Sequence, residues 1–181
     1  MEQTLVVAGF GGQGVLSLGM IIARAGMSEG YEVSWLPSYG PEQRGGTANC
    51  HVILSDEPVA CPLVGHPQTL IAFNLPSLLK FAGRVQPGGE ILAEAGLEPA
   101  VERQDVRLLA VPALEEAHRL GEPRVANMVM LGAWLELHPI LSQAAVEDAL
   151  PRVISKRHHD LLPLDLGAIR AGRRLAAMAR A

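Results

Sequence analysis

Aromatic residues make up only 4% of this 181-residue chain, so a core must be built from Val, Leu, Ile, Ala and Met. Two cysteines are present, Cys50 and Cys61, with no Cys-x-x-Cys spacing. Iron–sulfur clusters normally take four thiolates, so this chain alone is not expected to hold one. Both cysteines read as small buried apolar residues or free thiols. A dense basic run is also missing, and the formal net charge is −4, which argues against nucleic acid as a partner. The longest basic cluster, Lys156-Arg157-His158-His159, reads as a solvated face. No segment reaches the roughly 18 apolar residues of a membrane-spanning helix. The Met-Glu-Gln-Thr start lacks the basic region of a signal peptide. A cytoplasmic protein with no membrane partner is expected.

The histidines show no metal-ligand spacing with Cys or acids, so no metal is expected. Ser17, Ser38 and Cys61 have no His-plus-acid context of the kind that activates a nucleophile, and no catalytic residue is expected. His51 alternates with apolar neighbours and reads as a satisfied core or interface histidine.

What is present is an alternation of short apolar runs with longer helical ones. Leu5–Ala8, Tyr31–Leu36 (stopped by Pro37), Thr47–Leu54, Thr69–Phe73, Glu90–Ala93 and Val106–Val111 read as strands. Residues 15–29, apolar nearly all round, suit a helix buried against a sheet. Further helices are expected over Leu75–Ala82, Leu114–Leu120, Val125–Leu137, from a Ser142 cap to Leu150, and over Leu166–Ala179. No repeat, low-complexity tract or linker interrupts residues 1–181, which read as a single domain. Strands alternating with helices imply an α/β fold with a mostly parallel sheet flanked by helices.

Two loops carry candidate function. Gly9-Phe10-Gly11-Gly12-Gln13-Gly14 matches G-x-G-x-x-G between a strand and a helix, the context that motif requires. Glycines permit positive φ and close approach of a ligand to the backbone, and free N–H groups at the helix start favour an anion. Three readings stand side by side: a nicotinamide dinucleotide, another phosphate-bearing or acyl-carrier group, and a tight turn with no nucleotide. The first lacks its ribose-binding acid, because the second strand ends Ser34-Trp35-Leu36-Pro37 and Glu32 lies at its beginning.

The second loop is Ser38-Tyr39-Gly40-Pro41-Glu42-Gln43-Arg44-Gly45-Gly46. It is long and entropically costly for a connector. Arg44 is its only cation, a planar fork suited to phosphate or carboxylate; it is free to meet a ligand phosphate, a partner's carboxylate or Glu42. Tyr39 reads either as a stacking or interface group or as a buried tyrosine with its hydroxyl satisfied. Gly40 belongs to a turn core, and Gly45 and Gly46 supply unusual φ or close approach. Asn127 opens a helical run; capping or loop support is favoured over ligand contact. Met128 and Met130 beside it read as core.

Three segments together give a resemblance: Gly9-Phe-Gly-Gly-Gln-Gly14-Val15; Ser38 to Ala48 running on to Ile53-Leu-Ser-Asp-Glu-Pro58; and Asn127-Met-Val-Met-Leu-Gly-Ala133. In these the chain resembles the gamma subunits of 2-oxoacid:ferredoxin oxidoreductases, acting on pyruvate, 2-oxoisovalerate or 2-oxoglutarate. The resemblance covers nearly the whole chain, and its second segment is the specific one. It implies a Rossmann-like domain within an enzyme that decarboxylates a 2-oxoacid on thiamine diphosphate, passes electrons through iron–sulfur clusters to ferredoxin, and transfers the acyl group to coenzyme A. It further implies that thiamine diphosphate, magnesium and the clusters sit in partner alpha, beta and delta subunits, and that this chain serves assembly and the coenzyme A side. Under it, Gly9, Gly11, Gly12, Gln13, Gly14, Tyr39, Gly40, Arg44, Gly45, Gly46 and Asn127 are the candidate cofactor-contacting residues. Two alternatives stay open, the beta chain of an indolepyruvate:ferredoxin oxidoreductase and a free-standing nucleotide-binding dehydrogenase. A chain 49% hydrophobic and only 19% charged is expected to hide surface against a partner, or to form a homodimer when isolated.

Overall fold

Strand β1 (Glu2–Phe10) is buried on both faces over Leu5–Gly9, the burial expected of a central strand covered on two sides. A computed structural model describes residues 1–40 and 45–180. The remaining strands are β2 (Glu32–Tyr39), β3 (Thr47–Ser55), β4 (Thr69–Ala72), β5 (Glu90–Glu94) and β6 (Arg107–Val111). They form one sheet in the order β2-β3-β1-β4-β5-β6. The β1–β4, β4–β5 and β5–β6 pairs are parallel, whereas β3 is antiparallel to both β1 and β2. β3 alone therefore runs against the other five. This is the mostly parallel α/β sheet read from the sequence, with a hairpin built into one side.

The strand read as ending before Pro37 runs on to Tyr39, with Pro37 opposite Cys50 and Tyr39 opposite Ala48. The reason is position: β2 is an edge strand, where a residue without an N–H can be accommodated.

Helices α1 (Val15–Ser28), α3 (Ala113–Arg119), α4 (Ala126–Leu137), α5 (Gln143–Val153) and α6 (Leu162–Arg180) share the larger hydrophobic core. Helix α2 (Leu75–Phe81) and the 59–68 segment cover the other face. Local chemistry sets the helix starts. The side chains of Asn74 and Ser142 accept the N–H groups of Ser77 and Ala145 at 2.9 and 3.1 Å, capping α2 and α5. The last helix begins four residues before its expected start at Leu166, because Pro163 falls in the first turn, where proline costs nothing.

Every residue of α4 from Asn127 to Leu135 is buried, Met128 and Met130 among them, so the two methionines are core. The helix packs chiefly against α6, and the two helices meet backbone to backbone. A Cβ at Gly132 would overlap the carbonyl of Ile169, and one at Gly172 the carbonyl of Val129. Gly167, also in α6, faces open space, its nearest hypothetical contact being Arg170 at 3.9 Å.

This contrast gives a paired prediction. Gly172→Ala forces α4 and α6 apart and should cost about 3 kcal/mol. Gly167→Ala should instead gain about 0.5–1 kcal/mol by removing helix-interior glycine. Urea unfolding of the two variants measures both; equal effects would contradict the close crossing.

Candidate ligand site at the glycine turn

The turn between β1 and α1 is held from three sides. Gln13 folds inward: its Oε1 accepts the Phe10 N–H at 2.7 Å and the Asn74 side-chain amide at 2.9 Å, while its Nε2 donates to the Phe73 carbonyl at 3.4 Å. Gln13 thus ties the turn to the end of β4. A side chain at Gly9 would press on Gln13 and Val15, each 2.8 Å from its Cβ. On the other side, Asn127 donates from Nδ2 to the Gly14 carbonyl at 3.2 Å. Gly14 sits at φ 73° and a Cβ there would overlap the Asn127 amide, so glycine is required twice over. Asn127 lies inside α4, whose N-cap is Val125; of the roles read from sequence, loop support is the one seen.

The third support is the long loop. It is the β2–β3 hairpin connection, and β3 places it against the turn. The Gly11 N–H donates to the Gly46 carbonyl at 2.8 Å, the Gly45 N–H to the Gly11 carbonyl at 3.4 Å, and the Gly40 N–H to the Thr47 carbonyl at 3.2 Å. The two candidate loops are therefore one site. Pro41, Glu42, Gln43 and Arg44, with the suggested Glu42–Arg44 pair, lie outside the described residues.

A cavity of about 460 Å³ opens between them, lined by Phe10, Gly11, Gly12, Gly14, Val15, Leu16, Ser17, Tyr39, Thr47 and Ala48. Tyr39 is 69% exposed at its rim, not a buried tyrosine. The start of α1 faces this space with no acid in its first turn and, among the described residues, no side-chain cap, an arrangement that favours an anion at the first-turn N–H groups. Gly9, Gln13, Gly40, Gly45 and Gly46 support the wall from behind. The apolar lining residues Phe10, Leu16 and Ala48 carried no signal of their own in the sequence; only the hairpin brings them together.

A second cleft of about 380 Å³ lies on the other flank of the turn and shares Gly12, Gly14 and Ser17 with the first. Asn127, Arg124, His158 and Asp165 belong to it. Asp165 is 5% exposed, and burial raises its carboxyl to about 6. Sequence reading passed over it, because a single acid in an amphipathic helix looks like any other.

The remaining candidates for chemistry are structural. His51 accepts the Val64 N–H at 2.9 Å on Nδ1, and burial lowers its pKa, so it is a neutral core histidine. Cys50 is buried, its thiol pushed up to about 12 by desolvation, which removes it as a nucleophile. Among the described residues no cluster of three metal-ligating groups occurs, and no helix is long and apolar enough to cross a membrane.

The fold and site define an α/β domain that presents a cleft at a glycine turn braced by a β-hairpin. The pyruvate ferredoxin/flavodoxin oxidoreductase family model matches residues 4–175, and the chain belongs to that family. It is 42% identical over 172 residues to the ketoisovalerate oxidoreductase subunit VorA of Methanothermobacter marburgensis, an alignment covering 94% of this chain and 36% of VorA. The chain thus spans about a third of that relative's length. The gamma subunit of a keto/oxoacid ferredoxin oxidoreductase from Geobacter sulfurreducens superposes with a TM-score of 0.82 at 27% identity, covering 97% of this chain and 99% of that one. The 2-oxoglutarate:ferredoxin oxidoreductase of Magnetococcus marinus, solved with 2-oxoglutarate, coenzyme A and succinyl-CoA, superposes at 0.88 with 28% identity, covering 98% of this chain and 31% of that one. The indolepyruvate oxidoreductase subunit IorB of Archaeoglobus fulgidus is more distant, 27% identical over 194 residues covering 95% of this chain and 94% of IorB.

The buried acid generates a pH prediction. Asp165 has an ordinary pKa of 3.8 and a folded one of about 6, so the folded state holds its proton more tightly than the unfolded state. Its destabilising effect is absent below pH 3.8 and complete above pH 6. Across that window the wild type should lose about 2 kcal/mol relative to Asp165→Asn. Denaturation of both proteins at pH 4 and pH 7.5 measures it; a constant difference would contradict the assignment.

Proposed function

We propose that this chain is the gamma component of a 2-oxoacid:ferredoxin oxidoreductase, and that its glycine-turn cleft holds coenzyme A for acyl transfer. The observation that carries this reading is the backbone pairing of Gly11 with Gly45 and Gly46. It joins an anion-favouring helix start to an apolar cavity in a single cleft. Coenzyme A needs both: its phosphates suit the first-turn N–H groups of α1, and its pantetheine arm suits the surface made by Phe10, Leu16 and Tyr39. Arg44, in the sequence that joins β2 to β3, is assigned to a coenzyme A phosphate or a partner's carboxylate. Support also comes from the Magnetococcus marinus relative, solved with coenzyme A.

In this reading the chain supplies binding and positioning only. The decarboxylation chemistry belongs to thiamine diphosphate with magnesium, and the electron path to iron–sulfur clusters and ferredoxin. These groups are assigned to alpha, beta and delta-type partners in the cytoplasm. The two cysteines agree with that division, one buried and one exposed. The 2-oxoacid is not decided by these residues, and a branched-chain substrate has the support of the VorA relationship.

The dehydrogenase alternative fares worse on geometry. A dinucleotide site wants an acid at the end of the strand beside β1. Here β3 occupies that place, β2 ends at Ser38-Tyr39, and Glu32 sits at the opposite end of β2 beside Ser55.

Calorimetric titration should show coenzyme A binding and no NADH binding at millimolar ligand; the reverse would overturn the reading. The purified chain should not oxidise a 2-oxoacid with coenzyme A and a dye acceptor. Arg44→Ala should lower coenzyme A affinity or assembled activity about tenfold, the scale of one lost charge-assisted contact, with Tm nearly unchanged.

A further inference from the structure

Between Glu57 and Glu90 the chain contains no Asp or Glu. Folding gathers much of that stretch on one side. The 59–68 segment and α2 cover the second face of the sheet, whereas five helices cover the first. His66 joins the two parts of this cover, its ring Nδ1 lying 3.2 Å from the Arg84 carbonyl oxygen just past α2. The outside of the cover is apolar. Leu75 and Leu79, one turn apart on α2, are 42% and 62% exposed, and Leu63 is 62% exposed.

The charges on this cover are of one sign. Lys80 Nζ lies 5.1 Å and the Arg84 guanidinium carbon 5.5 Å from the centre of the Phe81 ring. The ring attracts each of them, but gathering two cations at one ring calls for a counter-charge. Among the described residues neither cation forms an ion pair. Glu98, on the 98–100 turn that packs against α2, turns its Oε2 into the interior instead. Exposed leucines beside uncompensated charge of one sign are the makings of a docking surface for an oppositely charged partner.

We propose that the α2 cover docks a different protein chain, one whose surface sets acidic residues around an apolar centre. The apolar centre meets Leu63, Leu75 and Leu79, and the carboxylates meet Lys80 and Arg84. A small anion would answer the cations and leave the leucines in water. A second copy of this chain does not fit either: two-fold symmetry sets an acid-free patch against itself and leaves both cation pairs without counter-charge. The docking surface lies on the face of the sheet that α1 does not cover. It rests on the assembly part of the proposed function, since it requires a partner, and not on the coenzyme A part.

Lys80 and Lys156 are the only lysines of the chain, so amine chemistry reads this surface directly. The assembled complex, purified from its source, is treated with a carbodiimide, which joins an amine to a carboxylate in contact with it. Lys80 should cross-link to an Asp or Glu of a different chain, and it should lose the reactivity toward acetic anhydride that it has in the isolated chain. Leu79→Asp should weaken assembly about tenfold or more, the scale of an interface anchor, with Tm unchanged because the side chain is exposed. Leu114→Asp, at an exposed leucine of α3 beside Glu115 and Glu116, should leave assembly as it is. The surface is overturned if Lys80 is equally reactive in the complex and the isolated chain, if it cross-links only to a second copy, or if the two substitutions have equal effects. Shielding of Lys80 by inorganic phosphate or phosphatidylserine vesicles, with none in the complex, also overturns it. A chain that purifies without partners overturns the surface and the assembly reading together. Lys80 shielded in a complex that does not bind coenzyme A overturns only the coenzyme A reading.

Discussion

The backbone contact between α4 and α6 is the constraint on which the site rests. Gly132 and Gly172 leave no room for a Cβ at their crossing, so the two helices move as one body. From that body Asn127 reaches the Gly14 carbonyl, and Asp165 enters the cleft on the same flank. A glycine turn is by nature permissive. Here its freedom is removed by a rigid helix pair on one side, Gln13 on a second and the hairpin loop on a third. Preorganisation of this kind lowers the entropic cost of holding a ligand, and it is bought with glycines far from the ligand itself.

Buried acids in this protein fall into two kinds. Glu90, at the start of β5, pairs with Arg107 on β6 and lies 3.2 Å from His138 Nε2 at the end of α4. Its Oε1 pairs with Arg107, which fastens the start of β5 to β6, while its Oε2 is buried without a hydrogen-bond partner. Asp165, near the glycine turn, has no such company among the described residues. The difference is informative because both acids pay for desolvation. Glu90 recovers part of that cost through Arg107, and Asp165 lines a cleft instead.

Much of the fold was legible in the sequence. The strand-helix alternation, the Ser142 cap and the helix read over residues 15–29 rest on local patterns that tertiary structure had no cause to override. Pro37 misled because proline is read as a strand end without knowledge of which strand lies at an edge. The direction of β3 was equally invisible: a period of two does not say whether a strand runs parallel or antiparallel. The glycine turn could be located from its spacing, but not the cavity walls. Phe10, Leu16 and Ala48 are ordinary apolar residues until the hairpin folds over them, and Asp165 is an ordinary acid until the chain around residues 153–161 closes the cleft beside it.

The inserted β3 also separates this protein from dinucleotide enzymes that share its glycine fingerprint. Where β2 lies directly beside β1, an acid at its end reaches the ribose held over the turn. With β3 between them, the end of β2 is displaced by one further strand spacing, about 4.8 Å, and an acid there would face the hairpin instead. The space beside the turn is filled by the loop that joins β2 to β3, and its glycines approach the turn closely enough to exchange backbone hydrogen bonds. The same six-residue motif thus keeps its anion-favouring helix start but loses its ribose acid.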